Sequence, residues 1–495
     1  MRRTPPSSRC SRRGGRSLVM PPEVDRSRTP CRPSRRAAAA AALAVTLFLG
    51  IDVAEAEVPA APPGPGPTEP LAGISGDTAF LRSSNNLFVV FPSALLQIDG
   101  LFFTRQIPKS GFVLRRVRLE LAGWIGPAVY YNIAGDFGAP PPPDADPVAP
   151  SNLAATDAYI ALGPWGDAAI LQVGQFDAPF TLENRTSDKY LDFMERSLTV
   201  RALGAPTNKD VGVMLHGADD RRFIYYSGGV FNGDGPNFRN VDNQFNLIGR
   251  AWVAPFALDR GSSLGRISVG GSFWSGRHLG GLPYATQTTA GGLRFFDPRW
   301  SIGRGAATTT VEMHQHGRMY AYAVELNAPL TPRLGLRGEY VFKHQQLAED
   351  DISDAAAGRL TILGNAVVNG YAAYGDLWWW LIGDDRMLPA PGLQLPKRLT
   401  GVVDGIAPYG LMLALRGEVM RQDVSSDTKT LANPNLATTR VMSFSAGLNY
   451  WYSRHFRFST NYVVNIFGGT TENIKVLTAS MPVEHEVLLR LAIAL

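Results

Sequence analysis

Gly174-Gln175-Phe176, Pro179-Phe180-Thr181-Leu182-Glu183, Thr186-Ser187-Asp188-Lys189, Phe193-Met194-Glu195-Arg196-Ser197, Arg201-Ala202-Leu203 and Asp210-Val211-Gly212-Val213-Met214-Leu215-His216 make up the stretch that decides the fold. Its ends alternate as strands do. Leu171, Val173 and Gln175 share one side of the first, and Val211, Val213 and Leu215 share one side of the second. About thirty residues separate them, and connections that long inside a compact β protein are uncommon unless they have a function. The segment concentrates charge in Arg185, Asp188, Lys189, Asp192, Glu195, Arg196, Arg201 and Lys209. It reads as a loop folded into the mouth of a β-barrel, where it narrows the hole.

Upstream, Arg35-Arg36 precedes an apolar run from Ala37 to Leu49 and a small-x-small site, Ala54-Glu55-Ala56. This is the pattern of a secretory signal peptide over residues 1–56, cut before Glu57. The run is too short to span a bilayer as a helix. Initiation at Met20 would leave the signal intact. The segment holds 11 Arg and 4 acidic residues, so the 48 basic and 43 acidic groups of the whole chain become 37 and 39 without it. The basic pI therefore belongs to the leader, and a nucleic-acid partner is not implied. Cys10 and Cys31 leave with the leader, so an exported chain without disulfides must be held by hydrogen bonds and packing. Residues 57–86 begin as an Ala/Pro/Gly-rich stretch and read as a disordered tether.

From Leu87 onward the chain consists of roughly ten-residue alternating segments punctuated by Gly, Pro, Asp and Asn. Val117, Leu119 and Leu121 alternate with Arg116, Arg118 and Glu120; Leu334, Leu336, Tyr340 and Phe342 with Arg333, Arg337, Glu339 and Lys343; Leu413, Leu415 and Val419 with Arg416 and Glu418. A soluble sandwich would show the same two faces. Three features favour a membrane barrel. Aromatic residues cluster at segment ends (Tyr130-Tyr131, Tyr225-Tyr226, Trp378-Trp379-Trp380, Tyr450-Trp451-Tyr452), charge is only 18%, and the apolar row Val487, Leu489, Leu491, Ile493, Leu495 runs to the last residue.

Several of these motifs resemble the phosphate-selective porins of the O/P type. They are Asp157-Ala158-Tyr159-Ile160, Gly174-Gln175-Phe176, Phe193-Met194-Glu195-Arg196-Ser197, Asp210-Val211-Gly212-Val213, Gly229 to Gly235, Gly370-Tyr371 to Gly383-Asp384, and Gly447-Leu448-Asn449-Tyr450-Trp451. The resemblance implies an all-β, transmembrane antiparallel barrel of about 16 strands over residues 87–495, in the Gram-negative outer membrane, with an inward-folded constriction loop at Thr181 to Lys209. It also implies a homotrimer. Expected partners are outer-membrane lipid and small anionic solutes.

The function expected is passive diffusion of small hydrophilic solutes with a preference for anions such as phosphate. Arg and Lys in a narrow passage lower the barrier for anions. Candidates at the anion constriction are Arg185, Lys189, Arg196 and Arg201; those lining the lumen by parity are Arg116, Arg118, Arg250, Arg337, Lys343 and Arg416. Each could equally be a wall ion pair, since Glu120, Glu339 and Glu418 lie two residues from Arg118, Arg337 and Arg416. Lys189 and Lys209 are the loop's only lysines, which argues for weak selectivity. The competing reading is a structural or adhesive barrel whose long surface segments, Gly280 to Gly317 and Leu347 to Gly370, bind a partner.

No catalytic or cofactor assignment emerges. None of the seven His lies in a Ser/His/Asp signature, and phosphate- and dinucleotide-binding glycine patterns are absent. Glu312, His314 and His316 would share a strand face, but the stretch reads as loop and no metal is assigned. Pro140-Pro141-Pro142-Pro143 reads as an exposed surface loop.

Overall fold

The structure is a computed structural model that describes residues 71–75, 78–104, 109–138, 153–204, 208–257, 262–304, 307–353, 361–399, 408–428, 438–469 and 483–495. The expected signal peptide, most of the expected tether and the Pro140–Pro143 run lie outside these residues.

Sixteen antiparallel strands close into a barrel. They are β1 (Phe88–Phe103), β2 (Gly111–Ile125), β3 (Val129–Asp136), β4 (Ala154–Leu162), β5 (Ile170–Asp177), β6 (Lys209–Ala218), β7 (Ile224–Phe231), β8 (Asn246–Val253), β9 (Ser268–Pro283), β10 (Ala307–Pro329), β11 (Leu334–Asp351), β12 (Thr361–Ile382), β13 (Gly410–Ser426), β14 (Thr438–Ser453), β15 (Phe456–Gly469) and β16 (Val483–Ala494). Each pairs with its neighbour in sequence, and β16 closes on β1 in the register Leu491↔Ile98. The last residue completes the seam: Leu495 and Ala94 exchange backbone hydrogen bonds at 2.9 and 3.2 Å. Closure pairs every strand on both sides and removes the exposed edges.

Burial separates this barrel from a soluble sandwich. The outward face is apolar and exposed: Leu119 is 56% accessible, Ile133 61%, Phe273 49% and Leu415 56%. The inward face is polar and buried, with Arg116, Glu339, Asp376, Arg416, Asn461 and Arg490 all below 9%. This is the inverse of a water-soluble fold and suits a wall with lipid outside and a wet lumen inside.

The wall is uneven. Strands β3 to β8 are 8–10 residues long, about what a tilted strand needs to cross a bilayer, whereas β9 to β15 run 14–23. The connections at the end holding Leu495 are mostly short turns, the periplasmic end of an outer-membrane barrel.

Several expectations change. Residues 72–82, expected as tether, form a hairpin (Ala72–Ser75 with Thr78–Arg82) that continues onto β1 through Leu81↔Val90, because Phe80 buries itself with Val89, Phe91 and Trp124. The aromatic clusters are not wholly interfacial. Pleating sends Trp379 and Tyr452 outward and Trp378, Trp380 and Trp451 into the lumen. Glu312 and His314 lie on strand β10 rather than in a loop; His314 stands 3.3 Å from Glu312 and 3.1 Å from Asp350. Residues 287–296, expected as free surface loop, form a small hairpin across the mouth of the barrel. There Gln287 donates to Gln422 at 2.9 Å, Gly291 N–H to Glu486 at 2.9 Å, and Phe295 packs on Phe467.

Candidate functional site: the lumen and its constriction

The connection from β5 to β6 folds inward and crosses the lumen, as its charge pattern predicts. Its entry is Thr181, a β-branched residue at φ 66° whose N–H donates to Ser272 Oγ at 3.1 Å. A non-glycine residue rarely adopts that conformation, so the surroundings must impose it. The Glu339 carboxylate on β11 accepts from the N–H groups of Leu182 and Glu183 at 2.7 and 2.8 Å. Glu183 in turn receives the Ser197 N–H at 2.6 Å and the Arg416 guanidinium at 2.7 Å, and Arg416 also grips Asp376 through two bonds of 2.7 Å. Glu418 accepts from Leu198 N–H at 2.5 Å. That bond fixes the start of a short helix, α1 (Leu198–Leu203), capped by Ser197.

Further along, Asn461 Oδ1 takes the Met194 N–H at 2.8 Å, Arg457 donates to the Leu191 carbonyl at 2.7 Å, and Arg337 pairs with Asp192 at 2.7 Å. Glu195 is held by Arg115 at 2.9 Å and Arg490 at 2.9 Å; Arg490 also bonds Asp99 and the Met194 carbonyl. Burial pushes the Glu195 carboxyl up, but Arg115, Arg116 and Arg490 outweigh it and hold it below the usual range.

At the other edge of the loop, one carboxylate meets three guanidiniums. Asp188 lies 2.5 Å from Arg196, 3.1 Å from Arg116 and 3.5 Å from Arg118. Burial alone would raise its pKa; Arg116, Arg196 and Arg118 together lower it well below the ordinary value. Lys189 stands 3.7 Å from Glu120. These groups line a cavity of about 920 Å3 on the periplasmic side of the loop, with Arg185, Lys209 and Lys397 also on its wall. Basic side chains outnumber acidic ones ten to five along it, so its field is positive.

A second segment bounds that cavity. The connection from β12 to β13 begins as a short 3-10 turn (Asp385–Met387) and then folds up into the barrel. Its Gly392 carbonyl accepts from Arg250 at 2.6 Å, its Gly392 N–H donates to Thr186 Oγ1 at 3.0 Å, and Gln394 donates to Asp177 at 2.8 Å and to the Arg185 carbonyl at 3.0 Å. Gly392 has φ +67°, and a Cβ there would lie 2.6 Å from the Arg250 guanidinium, so glycine is required.

The residues singled out in the sequence thus fall into three groups. Arg116, Arg118, Arg185, Lys189 and Arg196 line the cavity. Arg250, Arg337 and Arg416 point inward but are closed off by Glu325, Asp192, and Glu183 with Asp376. Arg201 and Lys343 face a separate small cavity beyond α1. The neighbours two positions along are not the partners. A residue two positions along lies about 7 Å away, whereas the adjacent strand is about 5 Å away and the loop closer still. Arg115 is missed because a bulge opposite Gln97/Ile98 turns both it and Arg116 into the lumen, breaking the two-residue period. Arg457 and Arg490 carry no signal beyond their parity. Among the described residues no group of three His, Cys, Asp or Glu is placed to hold a metal ion.

The sequence model of the phosphate-selective porin O and P family matches residues 97–266. That stretch contains the inward loop and the motifs from Asp157 to Gly235, but not the late Gly370–Asp384 and Gly447–Trp451 segments. No curated protein matches the chain. Among solved structures, similar folds include a loop-deletion form of the outer membrane protein OmpT of Vibrio cholerae (8% identity, TM-score 0.48, covering 83% of this chain and 100% of that one). Others are the outer membrane channel DcaP of Acinetobacter baumannii (11%, 0.46, 84% and 99%) and an anion-selective porin from Comamonas acidovorans (9%, 0.43, 82% and 99%). At such identities and TM-scores they do not bear on what passes through this pore. The chain thus forms a closed sixteen-stranded antiparallel barrel of the outer-membrane kind, and its residues 97–266 match the phosphate-selective porin O and P family model.

Proposed function

We propose that the pore is an anion-preferring diffusion channel for small hydrophilic solutes, inorganic phosphate among them. The observation that carries this reading is the pair of carboxylates, Asp188 and Asp136, set against the three guanidiniums of Arg116, Arg118 and Arg196, which leaves net positive charge where the passage narrows. In a narrow passage of low dielectric such charge lowers the barrier for anions and raises it for cations. Arg116, Arg118, Lys189 and Arg196 are the residues we assign to solute contact; Arg250, Arg337 and Arg416 are assigned to holding the loop, as is Arg185, 1% exposed and donating to the Asp177 carbonyl. The family match supports a channel rather than an enzyme. We further infer export with cleavage after Ala56 and assembly as a homotrimer, which the short strands β3 to β8 support as the side turned toward neighbouring copies.

Reversal potentials of single channels in a salt gradient test the reading. The expected outcome is anion bias, reduced in Arg116→Gln and Arg118→Gln, with conductance that falls on adding millimolar phosphate. Cation bias would overturn the assignment. A folded barrel with no conductance would favour the structural or adhesive reading, which the two segments folded into the lumen and the hairpin across its mouth also support. Crosslinking in outer membranes tests the trimer.

A further inference from the structure

On the far side of α1 from the main cavity, Lys343 of β11 is buried at 4% exposure without a carboxylate or any hydrogen-bond acceptor among the described residues. Its ammonium lies 5.9 Å from the ring centre of Trp274 and 5.5 Å from that of Tyr284. Ring faces attract a cation but offer it no lone pair. A buried charge that is not paired by a counter-charge is strongly disfavoured, and the wall arginines that lie as deep, Arg250, Arg416 and Arg490, are each paired with a carboxylate.

The remaining groups around Lys343 are also incomplete. Gln345, 1% exposed, has no partner at Nε2 or Oε1, and Gln315 has none at Oε1. Tyr284 accepts from Gln287 at 3.3 Å, which leaves its own O–H free to donate. Arg201 donates to the carbonyls of Arg196 and Thr288, using part of its donor set. These groups enclose a cavity of about 20 Å3, space for one water-sized occupant. Either amide can turn its nitrogen toward it. Every group can then present a donor, two of them cationic, to a single small occupant.

We propose that this cavity is a binding site for one small monovalent inorganic anion of chloride size, held by Lys343 Nζ, Gln345 Nε2, Tyr284 O–H and Arg201. Phosphate is too large for it. The ion neutralises Lys343 and ties α1, through Arg201, to strands β10 and β11. It is a structural counter-ion that stays in place while solutes diffuse past, so it does not depend on the pore's selectivity.

The test uses protein purified from outer membranes in detergent. Chloride is varied against gluconate at constant ionic strength while thermal unfolding is followed, and crystals are soaked in bromide. The expected result is a Tm that rises by about 1–2 °C per tenfold increase in chloride, and an anomalous bromide peak between Lys343 and Gln345. Lys343→Met, which keeps the stem and removes the charge, is expected to unfold without chloride dependence. An unchanged chloride response in Lys343→Met overturns the proposal, as does a water in the cavity with no bromide peak. If the variant does not fold, the bromide experiment on the unaltered protein decides alone.

Discussion

Two segments fold into the barrel, one from each end, and they are held by different physics. The outer loop, residues 178–208, is fastened by charge: Glu183, Asp188, Asp192 and Glu195 each find guanidiniums on the wall or within the loop, and Glu339 and Glu418 take its backbone N–H groups. The inner segment, residues 384–399, carries its charges at its ends, while its middle is Met387, Leu388, Pro389, Ala390, Pro391, Gly392, Leu393. It is fastened by backbone groups at Gly392, by Gln394 and by apolar contact; Met387 packs with Trp378, Trp380 and Trp451. The first attachment is strong, directional and sensitive to loss of any one partner. The second spreads over many weak contacts. A constriction that must keep a fixed radius suits the first, and a segment that limits access from the periplasm suits the second.

The largest expected effect comes from breaking the charged side of this contrast. Arg416→Met leaves Glu183 and Asp376 buried without their partner, a loss of about 3–5 kcal/mol for a pair broken at one end. The loop should then detach, seen as larger and noisier single-channel conductance with the barrel still closed. Unaltered conductance would show that Arg416 does not hold the loop. Gly392→Ala strikes the other side, through positive φ and the approach to Arg250, at about 1–3 kcal/mol. It should expose residues 383–399 to limited proteolysis and raise conductance while ion selectivity stays constant, and a shift in selectivity would mean that the two segments are not independent.

Acid should sharpen the difference further. Glu195, Asp188 and Glu183 have pKa values below their ordinary ones, because the guanidiniums around them outweigh burial. A depressed carboxylate contributes stability that is complete above its unfolded pKa, 4.5 for Glu195, and is lost as pH falls through the folded value. The Glu183, Asp188 and Glu195 attachments should therefore hold from neutral pH down to about pH 4.5 and give way only in stronger acid, read as a further step in single-channel conductance; no step there would contradict the assignment. The smallest effect is expected at Arg398, whose exposed side chain reaches Asp167 at 2.6 Å. Arg398→Ala should cost at most about 1 kcal/mol and leave conductance unaltered.

The contrast also explains what could be read from the chain. The barrel was legible because a wall between lipid and water imposes a two-residue period, which β13 keeps along its length and β11 keeps as far as Lys343. The outer loop was legible because its attachment is charge, and charge packed between two strands stands out. The inner segment was not: Pro389-Ala390-Pro391-Gly392 looks like any turn, and its anchors are carbonyl and amide groups that every residue has. The ion-pair partners of Arg118, Arg337 and Arg416 were not legible either, since they come from residues 18 to 233 positions away. Arg115 was hidden by one bulge. The charged residues were thus identifiable as inward, but which were spent on holding the loop and which face the passage depended on contacts that local pattern does not encode.

The cluster of Trp378, Trp380 and Trp451 has one more consequence. Trp380 and Trp451 lie 4.8 Å apart at a 30° tilt, and the same group contains Met387 of the inner segment and Phe193 of the outer loop. Two indoles so close share their excited states, so the pair forms an optical gauge set where both inserted segments meet. Near-ultraviolet circular dichroism of the untouched protein can report, without any added label, whether the passage is furnished or bare.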